Sequence, residues 1–344
     1  MTSPMQPRLA LVLGGGAARG LAHLGVLEVL EREGTRPAAI TGSSMGGLVA
    51  ALTAVGLSAR EIQQLARRFR FPRWFIPGGL VEWDRIFPSA VEPLRHRTFD
   101  ELRIPLSILA VDLEAGTPVV LDHGSVLDAA RATCAVPGVL PPQRVDGRWL
   151  VDGGLINLLP VDLAWAHGAD IVVGVSVSGS PARRMPQLEW RITSLISRLG
   201  RLVPNPATAK VAFEVLVRAT EVALARSTTL AAAMSGPELL IEVDVDEIGL
   251  RDFHRLDEAV ERGRRAAEAA CPALKRLLEQ APRRELAPSA ELDPVCCMMV
   301  SPSRARADAE WQGRHLYFCS PNCRDAFLAS PERYLAASWC RGIA

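Results

Sequence analysis

The sequence predicts an α/β fold: a three-layer α/β/α sandwich with a mostly parallel sheet, plus a small C-terminal cysteine-rich α+β module. Three observations carry this reading. Continuous apolar runs at Leu9–Leu13, Leu106–Asp112 and Ile171–Ser176 show no polar alternation, as strands buried on both faces do. Stretches with helical apolar spacing alternate with them, as the crossovers of a parallel sheet require. Five of the seven cysteines fall at or after Cys296, which sets the tail apart.

The first strand, Leu9–Leu13, runs into Gly14-Gly15-Gly16-Ala17-Ala18-Arg19-Gly20 and then a helix marked by Leu21, Leu24, Val26, Leu27 and Leu30. A glycine turn at a helix N-terminus presents backbone N–H groups to an anion. That anion is either a cofactor pyrophosphate or the oxyanion of an acyl-transfer intermediate. The dinucleotide spacing G-x-G-x-x-G meets Arg19 at its third glycine, so only a relaxed form of the Gly14–Gly20 loop fits a nucleotide.

Residues 37–41 read as a second strand, followed by Gly42-Ser43-Ser44-Met45-Gly46 and an apolar helix with Leu48, Val49, Leu52 and Val55. G-x-S-x-G between strand and helix places a serine on a sharp turn, its hydroxyl exposed and the next N–H aimed at the reacting atom. A nucleophile needs an oxyanion site, so this turn favours acyl transfer for the glycine loop upstream. Further strands are expected at 118–121 and 239–245, and Asp152-Gly153-Gly154 follows the short strand Trp149-Leu150-Val151. An aspartate there can face another strand's turn, or bond to its own backbone.

Together these motifs resemble the patatin-like phospholipases, in particular bacterial members similar to the catalytic domain of neuropathy target esterase. The resemblance runs through Gly14-Gly15-Gly16 with Arg19-Gly20, the Ser44 turn, the stretch from Arg131 to Pro142 (with Cys134 where serine is common) and Asp152-Gly153-Gly154. It implies a serine lipid acyl hydrolase, cleaving carboxylic esters of phospholipids or lysophospholipids without a cofactor. Ser44 is then the nucleophile, Asp152 its only side-chain partner, and Gly14, Gly15 and Gly16 the oxyanion hole. Arg19 is a candidate for a phosphate headgroup, or for holding the loop through backbone carbonyls. An aspartate with an ordinary pKa of about 3.9 is a poor base, so the dyad requires burial to raise it. His167 and His254 follow the aspartate and make a triad formally available, but neither lies in a glycine-marked turn. Two rival readings stand beside the hydrolase: a nucleotide-binding regulator using the Gly14–Gly20 loop, and a catalytically idle scaffold.

Composition narrows the partners. With 39 Lys+Arg against 38 Asp+Glu, the net charge of +1 argues against a nucleic-acid binder. No apolar run reaches the roughly 18 residues of a membrane span, and the N-terminal apolar stretch is too short for a secretory signal. The expectation is a cytoplasmic protein, peripheral at the membrane through residues 67–77, where four arginines interleave with Phe and Trp. The same pattern also describes a helix end whose aromatics fill the core. A helical insertion is expected over 188–234.

The tail reads as metal-binding, because clustered cysteines in a cytosolic chain suggest an ion before a disulfide. Cys319 and Cys323 lie one helical turn apart and, with Cys296, supply three thiolates; His315 is the candidate fourth ligand. Asp293-Pro294-Val295-Cys296, Tyr317-Phe318-Cys319-Ser320, Cys323, Phe327, Pro331 and Tyr334 resemble a YHS domain, with Cys297 where glycine is usual. Soft thiolates suit zinc or copper(I), in a role apart from bond cleavage. The expected divisions are 1–7 (tail), 8–281 (hydrolase), 282–292 (linker), 293–335 (module) and 336–344 (tail).

Overall fold

The computed structural model describes residues 7–69, 81–178, 236–281, 291–296 and 298–336. The expected insertion at 188–234, most of the linker, the proposed membrane segment beyond Phe69, and Cys297 lie outside the described residues.

A parallel core of five strands has the order β3 (Leu106–Asp112), β2 (Ala39–Ser43), β1 (Leu9–Leu13), β7 (Ile171–Ser176) and β8 (Leu239–Glu242). On the β3 side the sheet turns antiparallel: β4 (Thr117–Leu121) and β6 (Arg148–Asp152) both pair with β3, and β5 (Gln143–Val145) pairs with β6. β2 begins two residues later than its apolar pattern suggests, because the pairing Leu13↔Gly42 carries the strand up to the serine turn.

β1 shows why its apolar run is unbroken. Leu9, Leu11 and Leu13 face one core, with α1 (His23–Arg32), α2 (Met45–Ala54), α3 (Ala59–Ala66), the single turns α4 (Trp83–Ile86) and α5 (Val91–Leu94), and α6 (Val126–Thr133). Ala10 and Val12 face the other way, against Leu159, Val161, Ala164 and Trp165 on and beside α7 (Val161–Ala166). Helices therefore cover both faces, as the sequence predicts. The long helix Leu256–Gln280 closes on α1: a Cβ at Gly25 would lie 1.9 Å from Val260 O, and one at Gly263 1.9 Å from Ala22 O. Such close contact demands glycine on both helices.

Part of the basic-aromatic segment serves the core. Phe69 is buried edge-on to Phe87 and Phe253, and Arg67 pairs with Asp257 on the long helix. Among the described residues, no helix is long and apolar enough to cross a membrane.

The C-terminal module starts at β9 (Glu291–Leu292), two residues earlier than expected, since β9 pairs with β10 (Met299–Val300). β11 (Ala307–Trp311) and β12 (Arg314–Phe318) form a hairpin whose Gln312-Gly313 turn has both φ angles positive, at 49° and 76°. Ala307, Leu316, Phe318 and Phe327 make its small core. The module docks on the sheet domain instead of hanging from it. Met299 N–H donates to buried Asp162 on α7 (3.3 Å), and the Arg304 guanidinium lies 3.2 Å from the Trp165 ring centroid and pairs with Glu238. A small cleft lies along this contact, lined by Leu109, Val120, Ile156, Asp162, Cys296 and Met299 among others.

Candidate active site

Strand register brings the distant motifs together. Ser43 pairs with Leu109 on one side of β3, and Asp152 pairs with Ala110 on the other. Ser44 and Asp152 therefore face each other across a single strand, and Ser44 Oγ donates to Asp152 Oδ2 at 2.6 Å. Both residues are buried.

Ser44 has φ 53° and ψ −130°, a left-handed conformation costly for a side chain other than glycine. Its surroundings hold it there. Ser44 N–H donates to Thr133 Oγ1 (2.8 Å), and Thr133 Oγ1 donates to Leu109 O (2.6 Å). Flanking glycines are a matter of space: a Cβ at Gly46 would lie 2.0 Å from Leu13 O, and one at Gly42 2.7 Å from the Gly46 backbone. Thr133 belongs to the run singled out before the aspartate, but nothing in the sequence alone assigned it this bond.

Asp152 also accepts from Gly154 N–H at 2.8 Å through Oδ1. Burial pushes its pKa up to about 6, against the pull of the Ser44 hydroxyl and the Gly154 amide. That is the environment a carboxylate base needs near neutral pH. The adjacent Cys134 thiol is buried and held well above its ordinary pKa, by desolvation first and the Asp152 charge second, so it stays protonated.

Two features of the glycine loop differ from expectation. Gly14 N–H donates to Val175 O (3.0 Å) and Gly15 N–H to Leu158 O (2.9 Å), so these two amides are already committed to the backbone. Gly16 N–H, in contrast, has no partner among the described residues, and neither does Met45 N–H at the start of α2. Arg19 is buried, and its guanidinium donates to Ile248 O (2.7 Å) and Ser178 O (3.0 Å). Both bonds fit the loop-holding reading of Arg19, one of the two that the sequence leaves open.

No histidine joins the pair. His167 Nε2 meets Ser107 Oγ at 2.9 Å, and burial lowers its pKa. His254 is exposed on a 3-10 turn. Behind the loop, His23 Nε2 lies 2.7 Å from Gly14 O.

In the module, Cys319 Sγ lies 3.5 Å from Cys296 Sγ and 3.6 Å from Cys323 Sγ, with no disulfide between them. Asp293 is the fourth member of this group, its ligand atom within 4.8 Å of the three sulfurs. It is fully buried and accepts from Val295 N–H and Cys319 N–H, both at 2.9 Å. Within this hydrogen-bonded trio the Cys319 thiol is held below its ordinary pKa, chiefly by Cys296, while the Cys296 and Cys323 thiols are pushed up. Three convergent soft sulfurs fit a zinc or copper(I) ion. His315 does not belong to this group. It sits on an exposed position of β12 and pairs with Asp308 at 3.0 Å, because the strand alternation that buries Leu316 and Phe318 turns it outward. In the sequence Asp293 stands out only as the first residue of the Asp293-Pro294-Val295-Cys296 motif, and nothing there marks it as a metal ligand.

Comparisons with known proteins agree with both halves. Residues 11–165 match the Patatin-like phospholipase family model and residues 292–338 the YHS domain model. An uncharacterized NTE family protein of Mycobacterium tuberculosis is 34% identical over 194 residues, 55% of this chain and 54% of its own length. Mouse Patatin-like phospholipase domain-containing protein 6 is 33% identical over 195 residues, 49% of this chain and 13% of that protein. This chain thus spans about half of the first relative and a small part of the second. Among solved structures, VipD from Legionella pneumophila covers 79% of this chain and 67% of its own at a TM-score of 0.45 and 14% identity, a likeness too distant to carry weight. Residues 11–165 of this chain are thus similar to the patatin-like phospholipase family, and residues 292–338 to the YHS domain.

Proposed function

We propose that the protein is a serine lipid acyl hydrolase that cleaves carboxylic esters of phospholipids or lysophospholipids through an acyl-enzyme on Ser44. The observation that carries this reading is the buried 2.6 Å hydrogen bond from Ser44 Oγ to an aspartate whose pKa is raised to about 6. Asp152 Oδ2 takes the hydroxyl proton as Ser44 Oγ attacks the ester carbonyl. The oxyanion is received by the unpartnered amides of Gly16 and Met45. The alcohol leaves with the proton, and Asp152 then draws a proton from the water that attacks the acyl-enzyme and returns it to Ser44 Oγ as the fatty acid departs. No cofactor enters any step.

The nucleotide alternative loses support from the same loop, since two of its three glycine amides are spent on backbone carbonyls. For the module, the reading is one soft metal ion held by Cys296, Cys319 and Cys323, with Asp293 beside them.

A lipid-panel hydrolysis assay on the full chain tests the proposal, with Ser44→Ala as the control. Release of fatty acid from at least one phospholipid or lysophospholipid by the wild type alone is expected. Equal release by Ser44→Ala would reject the assignment. A folded wild type idle on every ester would favour a scaffold.

A further inference from the structure

We infer that His23 is a positioning residue for the oxyanion-binding loop, clamping the Gly14–Gly15 peptide next to Ser44 so that the Gly16 amide stays free. The inference rests on the acyl-hydrolase reading and adds a residue that the dyad and the glycine loop do not include.

Three bonds fix this stretch of backbone. His23 Nε2 lies 2.7 Å from Gly14 O, and a carbonyl only accepts, so Nε2 carries the proton. Gly15 N–H, on the opposite edge of the same peptide, donates to Leu158 O at 2.9 Å. Gly14 N–H donates to Val175 O at 3.0 Å. A peptide between two glycines flips with little steric cost, because glycine enters positive φ freely. With the clamp in place, a flip would set Gly14 O against Leu158 O and Gly15 N–H against the imidazole N–H. Both contacts are repulsive, so the unflipped plane is selected.

The loop lies close enough for such a flip to reach the nucleophile. A Cβ on Gly15 would sit 2.9 Å from Ser44 Cβ. Packing alone does not account for an imidazole here. His23 is fully buried, and its Nδ1 has no hydrogen-bond partner, an unmet polar atom that leucine would not bring. Burial also lowers its pKa to about 4, beneath the value of about 6 for Asp152. The ring is therefore neutral wherever the base is ionised, and it contributes direction rather than charge.

The test compares His23→Leu and His23→Gln with the wild type on a soluble p-nitrophenyl ester, with Ser44→Ala as background. The readouts are kcat, KM, Tm and the pH profile. The glutamine amide keeps a donor that can reach Gly14 O, whereas leucine has none. His23→Leu should lower kcat by about 10- to 100-fold with KM within about threefold, and His23→Gln should recover most of the loss. The pH midpoint should not move, since Asp152 remains the base. If His23→Leu fails to fold, His23→Asn replaces it: its amide is too short to reach Gly14 O and should show the same kcat deficit. Full kcat in the donor-free variant overturns the inference, as does an equal loss in both variants that tracks a falling Tm. Absence of Ser44-dependent turnover in the wild type is a separate result, which removes the hydrolase reading and this inference with it.

Discussion

Ser44 and Asp152 share a 2.6 Å hydrogen bond across 108 residues of sequence, with β3 lying between their strands. A buried carboxylate ordinarily collects several donors that keep it ionised; among the described residues Asp152 has only the serine hydroxyl and one backbone amide, and its pKa rises to about 6.

Asp152→Asn should therefore abolish turnover nearly as completely as Ser44→Ala, because an amide accepts the serine hydrogen bond without taking its proton. Members of one catalytic unit act non-additively, so Ser44→Ala/Asp152→Asn should be no worse than either single variant. Steady-state kinetics on the three proteins decide this. If His167→Ala costs as much while the fold survives, a histidine takes part and the dyad is wrong.

Activity and stability should respond oppositely to pH. Turnover requires ionised Asp152 and should rise with pH through about 6. Asp152 and Asp162 both have folded-state pKa values raised to about 6 from 3.8. The folded chain thus binds more protons than the unfolded chain between those values, and this contribution to stability falls as pH rises through the window. Each carboxylate removes on the order of 3 kcal/mol by neutral pH. Asp152→Asn should melt above the wild type at pH 7.5, and the gap should close towards pH 4. A gap that widens on acidification would contradict the raised pKa.

Glycine substitutions should separate folding from catalysis. Gly46→Ala places a Cβ 2.0 Å from the Leu13 carbonyl oxygen, a backbone atom that cannot yield, and should lose both folding and activity. At Gly15 the nearest obstacle is the Leu158 side chain at 2.5 Å, which can rotate, followed by Ser44 Cβ at 2.9 Å. Gly15→Ala should retain much of its thermal stability and lose most of its turnover. Melting curves beside kinetic assays make the comparison, and the reverse ranking would misplace the loop.

Metal content should follow the thiolates and not the histidine. Elemental analysis of the reduced, purified full chain should find about one soft metal ion per molecule, lost in Cys319→Ser and retained in His315→Ala, and binding should weaken at low pH as thiolates protonate. Loss of metal from His315→Ala would restore the histidine as a ligand. Metal retained after Cys319→Ser would remove the cluster from consideration.

What the sequence made legible follows from how local each signal is. The strands Leu106–Asp112 and Ile171–Ser176 match their apolar runs residue for residue, and the Ser44 turn sits where its small residues allow it. Pairing is non-local: nothing along the chain distinguishes parallel β2 from antiparallel β4 and β6 as partners of β3. The same holds for Arg19, whose carbonyl acceptors lie 159 and 229 residues away. Docking of the module was equally hidden, since Asp162, Trp165, Met299 and Arg304 form no motif until the fold brings them together. His315 misled for a simpler reason: residue type suggested a ligand, while its register on β12 turned it outward.

The central claim, covalent catalysis by Ser44 in an intact oxyanion site, meets its most direct test in labelling with a fluorophosphonate probe followed by peptide mass spectrometry. The account predicts one phosphonylated residue per molecule, Ser44, with no label on Ser44→Ala and much slower labelling of Asp152→Asn. A label that persists on Ser44→Ala, or that maps to another residue in the wild type, would contradict it.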